Sequence, residues 1–182
     1  MSMTNIRRRW WKISSRGWTV LSQNGKFHGI FATSSINEAI DYYRRLKEAL
    51  PELKTTALFD PNIDNVGGTA YKEDGLVEIM TDYNSRYDRD FRLANHAKFK
   101  EDIFNRLAHK KAYIRVEKTP EMQIDLLIVV NQMLTGFDSK WVNTLYLDKI
   151  MEYENIIQAF SRTNRLFGPD KPFGTIRYYR YP

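Results

Sequence analysis

The sequence predicts an open α/β sheet, mostly parallel, with helices covering its faces. Three observations lead there. Leu126–Val130 is a run of five apolar residues behind Asp125, and a strand apolar at every position is one buried on both sides, as in a parallel sheet under helices. Segments of strand length alternate with segments of helical periodicity along the whole chain. The first of those helices carries a full apolar stripe in Ile36, Ala39, Ile40, Tyr43, Leu46 and Leu50, spaced to lie on one face.

In chain order, residues 1–25 read as a basic leader and residues 26–182 as the domain proper. Residues 1–26 contain Arg7, Arg8, Arg9, Lys12, Arg16 and Lys26 and no acidic side chain. The remaining 156 residues carry 22 of the 28 basic side chains and all 22 acidic ones, so the net charge of +6 belongs to residues 1–26. A neutral domain body gives no argument from bulk charge for nucleic-acid binding, although a local patch could still bind. Trp10, Trp11 and Trp18 interleave with the leader's cations. Two readings of this stay open: part of a helix or linker that packs on a surface elsewhere, or a segment that stacks on nucleic acid.

Phe27–Thr33 reads as a buried strand. Ser35 then opens a helix, Glu38 three residues on completes a capping box, and Pro51 marks the stop. A short strand follows near Thr55–Phe59. Asp60–Gly75, with Pro61, Gly67, Gly68 and Gly75, reads as a loop. Helices are expected over about 73–87 and 95–110, both rich in charge and so partly exposed. Residues 115–123 form a connector around Pro120. After Leu126–Val130 come a strand at Thr144–Leu147, a helix over 152–166 and a last strand at Gly174–Tyr181.

Several classes of function are disfavoured. With no cysteine there are neither disulfides nor thiolate metal sites, and His28, His96 and His109 show no ligand spacing. A metal site is not expected. No apolar run approaches the roughly 18 residues that span a bilayer, and no signal-peptide pattern is visible, which makes a cytoplasmic protein without membrane contact the expectation.

Functional groups in open α/β sheets gather on loops beyond the strands' carboxyl ends, and three such places stand out. Ser34 and Ser35 follow the first strand. Asn131-Gln-Met-Leu-Thr135-Gly136-Phe-Asp138 follows Leu126–Val130. Gln158-Ala-Phe-Ser-Arg162-Thr-Asn-Arg165 lies on the helix after Thr144–Leu147. On that helix Arg162 is about 40° round from Gln158 and Arg165 about 20° on the other side, while Tyr153, Ile156 and Phe160 fall opposite. Two guanidinium groups on one face suit a phosphate chain, because the rigid fork matches phosphate oxygens and keeps its charge. The same geometry also describes any solvated helix face.

The order of these segments narrows the choice. Ala32-Thr-Ser-Ser-Ile36, Leu127-Ile-Val-Val-Asn131, Leu134-Thr-Gly-Phe-Asp138, Asn143-Thr-Leu-Tyr-Leu-Asp-Lys149 and Ile157-Gln-Ala-Phe-Ser-Arg-Thr-Asn-Arg165 together resemble the R subunit of type I restriction–modification enzymes. The resemblance runs from about Lys26 to Arg180 and is most specific in the final third. It implies the second of two RecA-like domains of a superfamily 2 helicase-like motor, that is, a P-loop NTPase-type helicase C-terminal domain. By that resemblance Ser34 and Ser35 match a motif that touches the nucleic-acid backbone. Gly136 and Asp138 match one that shapes the nucleotide cleft, and Gln158, Arg162 and Arg165 match one whose arginines approach the γ-phosphate across the domain gap. Many members of the superfamily carry a DNA-contacting threonine six residues before the glycine; here that position is Val130, which leaves Asn131 and Thr135 as substitutes.

The implied cofactors are ATP and Mg²⁺, held mainly by the first motor domain. The present sequence has neither the Gly-x-x-x-x-Gly-Lys-Ser/Thr loop nor an acidic Mg²⁺ motif, so no bound cofactor and no activity are expected of this chain alone. The implied partners are double-stranded DNA, the first RecA-like domain of the same subunit, and the modification and specificity subunits. Three alternatives remain: a motor domain of another superfamily 2 helicase, a stand-alone basic nucleic-acid-binding module working through Arg7–Trp18, and an inactive remnant.

Overall fold

A computed structural model describes residues 15–60, 68–130, 137–148, 161, 165, 167–172 and 174–178. The elements are α1 (Ser15–Leu21), β1 (His28–Thr33), α2 (Ile36–Ala49), β2 (Thr55–Leu58), α3 (Thr69–Tyr87), α4 (His96–Ala108), β3 (Leu126–Val130), β4 (Val142–Asp148) and β5 (Thr175–Tyr178). The five strands form one sheet in the order β2-β3-β1-β4-β5, and every pairing is parallel. The expected α/β architecture is therefore the one observed. The helix expected over 152–166 falls mostly outside the described residues; of the two described there, Ser161 is helical and Arg165 is not.

Register decides which side chains meet the helices. Gly29 pairs with Leu126 and Thr144, Phe31 with Ile128 and Tyr146, and Thr33 with Val130 and Asp148. With a period of two, these residues share one face and His28, Ile30 and Ala32 share the other. The first face is covered by α2, where Tyr42 meets Phe31 edge-on at 4.6 Å, and by α1, where Trp18 lies against Gly29. A Cβ on Gly29 would come within 2.9 Å of the Trp18 ring, so only glycine admits this approach. On the opposite face His28 meets His109, the residue that caps the carboxyl end of α4. All five residues of β3 and all seven of β4 are buried.

The helix α2 forms where the sequence places it. Its buried residues are Ile36, Ala39, Ile40, Tyr43 and Leu46, each worth roughly 1.5–3 kcal/mol for the larger side chains. The region read as a loop up to Gly75 differs: α3 begins at Thr69. Gly75 is inside the helix because α2 crosses there, and a Cβ would stand 2.4 Å from Ile40 Cδ1. The helix α4 is partly exposed, as its charge content predicts. Phe99, Ile103, Arg106 and Leu107 form its buried face, and Arg106 is fully buried because aromatic rings and acceptors surround it.

At the amino-terminal end of β1, two histidines far apart in sequence meet. His28 Nδ1 lies 2.6 Å from the Ile124 carbonyl, and its Nε2 lies 2.8 Å from His109 Nε2. His109 stacks on Trp141 with ring centroids 3.8 Å apart, and its Nδ1 faces Glu117 at 3.2 Å. A carbonyl only accepts, so His28 carries its hydrogen on Nδ1, and His109 Nε2 donates to His28 Nε2. A first added proton enters at His109 Nδ1, toward Glu117. A second, on His28 Nε2, sets two N–H groups against each other. Burial accordingly lowers His109 to about 4 and His28 to about 3 from the usual 6.5, with the neighbouring ring charge adding to the effect on His28.

Both groups resist protonation when folded, so their contribution to stability is present above pH 6.5 and lost as pH falls through the two lowered values. Each tenfold difference in proton affinity is worth about 1.4 kcal/mol. The urea midpoint should drop steeply from about pH 7 to about pH 4.5, and a His28→Asn variant should show a shallower drop. Parallel pH profiles for variant and parent would remove His28 as the cause.

Candidate functional site

The strands β1, β3 and β4 end level with one another, since Thr33 pairs with both Val130 and Asp148. Three chain exits therefore share one rim, and Ser34–Ser35 is the first of them. Ser35 is the N-cap of α2, with extended backbone, and its hydroxyl accepts a hydrogen bond from Glu38 N at 3.2 Å. The Glu38 carboxylate accepts from Ser34 N at 3.1 Å, so the reciprocal bond of the expected capping box reaches one residue further back. Ser34 Oγ donates to the Asp148 carbonyl at 3.4 Å. Ser34 is exposed and Ser35 half-buried.

Asp148 is a residue that the sequence reading did not single out. It is the last residue of β4, has no exposed surface, and its carboxylate accepts a hydrogen bond from the Tyr42 hydroxyl of α2. It thus holds the β1–α2 unit at two points: its carbonyl takes Ser34 and its carboxylate takes Tyr42. Asp148 stands out in sequence only as a charge closing a run of strand residues.

Asp138 is fixed by its neighbours. Phe137 is buried against Phe104 of α4, with ring centroids 4.8 Å apart. Ser139 is buried, donates from Oγ to Leu107 O at 2.9 Å and accepts from Trp141 N at 3.1 Å. Two buried anchors leave the residue between them projecting outward. There its carboxylate meets Arg165, with Nη2 2.8 Å from Oδ2 and the two side chains 61% and 47% exposed. Two residues beyond Arg165, Phe167 packs on Phe27 and Trp141, which flank the amino-terminal ends of β1 and β4. The pair accordingly belongs to the return path from the rim toward the start of β4.

Of the residues singled out in the sequence, Asp138 and Arg165 are brought together. Ser34 and Ser35 stand at the carboxyl rim, with no bond to that pair among the described residues. Asn131, Thr135, Gly136, Gln158 and Arg162 lie outside the described residues. Among the described residues, no three His, Asp or Glu side chains group to hold a metal ion, and no helix is long and apolar enough to cross a membrane.

Comparison with known proteins gives the family of the chain. The model of the family described as type I restriction enzyme subunit R domain 3 matches residues 25–181. The chain belongs to that family. This R-subunit domain is 39% identical over 168 residues to the type I restriction enzyme SauMRSORF196P endonuclease subunit of Staphylococcus aureus (strain MRSA252), covering 87% of the chain and 17% of the relative. It is 36% identical over 168 residues to the SsaAORF53P endonuclease subunit of Staphylococcus saprophyticus, with the same two coverages. A shorter match, 43% over 58 residues, joins it to the HindI endonuclease subunit of Haemophilus influenzae, covering 32% of the chain and 6% of the relative. The R-subunit domain thus spans about a sixth of the length of its staphylococcal relatives.

Proposed function

We propose that this R-subunit domain is the second RecA-like half of an ATP-driven DNA translocase that serves a type I restriction endonuclease. The observation that carries the reading is the ion pair between Asp138 of Leu-Thr-Gly-Phe-Asp and Arg165 of Gln-Ala-Phe-Ser-Arg-Thr-Asn-Arg. Two segments separated by a whole strand converge, and the guanidinium they present is more than half exposed. A fork held this loosely can exchange a carboxylate for a phosphate oxygen at little cost. An exposed arginine here, in a sequence without a Gly-x-x-x-x-Gly-Lys-Ser/Thr loop, suits a group supplied across a gap to a nucleotide held elsewhere.

ATP with Mg²⁺, bound mainly by the first motor domain, supplies the free energy of phosphoryl transfer. This domain's own part is to bring Arg162 and Arg165 to the developing phosphate charge, while Gln158, Gly136 and Asp138 shape the approach. Ser34 and Ser35, with Asn131 and Thr135, take the DNA backbone at the rim, and opening and closing of the domain gap moves that contact along double-stranded DNA. The modification and specificity subunits choose where it starts. The cytoplasm is where such a complex would meet its DNA.

The test compares the isolated chain with the full R subunit assembled with modification and specificity subunits on DNA carrying their site. The assembly should hydrolyse ATP in a DNA-dependent way and the isolated chain should not. Turnover by the isolated chain would overturn the division of labour. Salt-dependent DNA binding by the isolated chain, abolished on neutralising Arg7–Arg9, would instead favour a stand-alone binding module.

A further inference from the structure

The two candidate sets stand at opposite ends of one strand. Four residues before β4 begins is Asp138, the partner of Arg165, and at its far end is Asp148, which holds the Ser34–Ser35 turn. The strand's seven buried residues, Asp148 included, pair with β1 on one side and, over Thr144–Leu147, with β5 on the other, a rod of about 23 Å at strand rise. A close-packed central strand does not stretch, so displacement at one end appears at the other.

What that displacement moves depends on how the rod's end is fastened. The fastening is Asp148. A buried carboxylate costs desolvation, and an apolar side chain would serve a purely structural strand end better. Here the carboxylate receives the Tyr42 hydroxyl, and the carbonyl of the same residue receives the Ser34 hydroxyl at 3.4 Å. Tyr42 lies two turns into α2, the helix that Ser35 caps, and its ring is wedged edge-on against Phe31 of β1. The turn and its helix are therefore both fastened to the end of β4.

We propose that Asp148 and Tyr42 are positioning residues that couple the nucleotide end of this domain to its DNA end, clamping the Ser34–Ser35 turn to the tip of β4. The inference rests on the motor reading. It assigns neither residue a contact with nucleotide or DNA: loss of the clamp lets hydrolysis run while the turn slips.

The experiment uses the assembled enzyme on linear DNA carrying its site. Phosphate release gives the ATPase rate, and displacement of a third strand at a known distance gives the rate of movement. Tyr42→Phe, which removes one hydroxyl, should hold ATPase within about twofold while the distance moved per ATP falls about three- to tenfold. Asp148→Asn keeps an oxygen that can accept the Tyr42 hydroxyl and should remain near the parent, whereas Asp148→Ala should behave as Tyr42→Phe. Unchanged distance per ATP in Tyr42→Phe, or equal losses of hydrolysis and movement, would overturn the clamp. Failure of the motor reading itself looks different: the unaltered enzyme would show no ATP-dependent movement.

Discussion

Arg165→Ala in the assembled enzyme should lower DNA-dependent ATP turnover by about 10³-fold or more, the scale on which arginine fingers act in other nucleotide-hydrolysing systems. The same substitution should leave the domain folded. Its only described ion pair is with Asp138, both side chains are largely exposed, and exposed pairs are worth at most about 1 kcal/mol. Thermal melting should therefore move by no more than about 4 °C while activity collapses. Arg165→Lys should recover little, because an ammonium keeps the charge and loses the planar fork. ATPase measured alongside melting separates the outcomes, and near-normal turnover in Arg165→Ala would take this arginine out of the chemistry.

Arg106→Met should be the most damaging single change to stability, by about 3–5 kcal/mol out of the 5–15 kcal/mol typical of a domain. The side chain has no exposure. Its Nε donates to Tyr83 Oη at 3.1 Å, Nη1 to Met122 O at 2.5 Å, and Nη2 to Asp102 at 3.2 Å and Tyr113 Oη at 2.9 Å. The guanidinium carbon lies 4.0 Å from the Tyr87 ring centroid and 4.3 Å from that of Tyr113. Methionine fills much of the volume but strands the acceptors. Asp102, which also takes the hydroxyls of Tyr83 and Tyr113, would keep only Arg89 at 3.7 Å as a cation. Because these partners come from α3, α4 and the turns before β3, the loss should appear as one cooperative shift in urea midpoint. A shift below about 1 kcal/mol would mean that the cage relaxes around methionine.

Much of the fold was legible in the sequence because burial leaves a pattern. Leu126–Val130 could hardly be anything but a covered strand, and the stripe from Ile36 to Leu46 matches the buried side of α2 residue for residue. What escaped is what depends on neighbours distant in sequence. Arg106 carries no mark in the sequence that sets it apart from the other charges of its helix, and Gly75 reads there as part of a loop. Three tyrosines hide the first and the Ile40 side chain demands the second. At the candidate site, Ser34, Ser35, Asp138 and Arg165 are marked by their places in ordered motifs. Asp148 is not, since a lone carboxylate at a strand end gains meaning only when a tyrosine on the next helix faces it. The joining of His28 to His109, across 81 positions, is equally invisible to spacing.

The covered strands carry one last implication. With β3 and β4 sealed on both faces, the sheet has almost no slack to take up. Force applied to such a body turns it as a whole and is not absorbed as internal strain. Compliance in any machine that includes it belongs at its borders, so hinge substitutions should alter speed and stroke, and substitutions inside the sheet, the Asp148 fastening apart, should alter only how much of the protein survives to work.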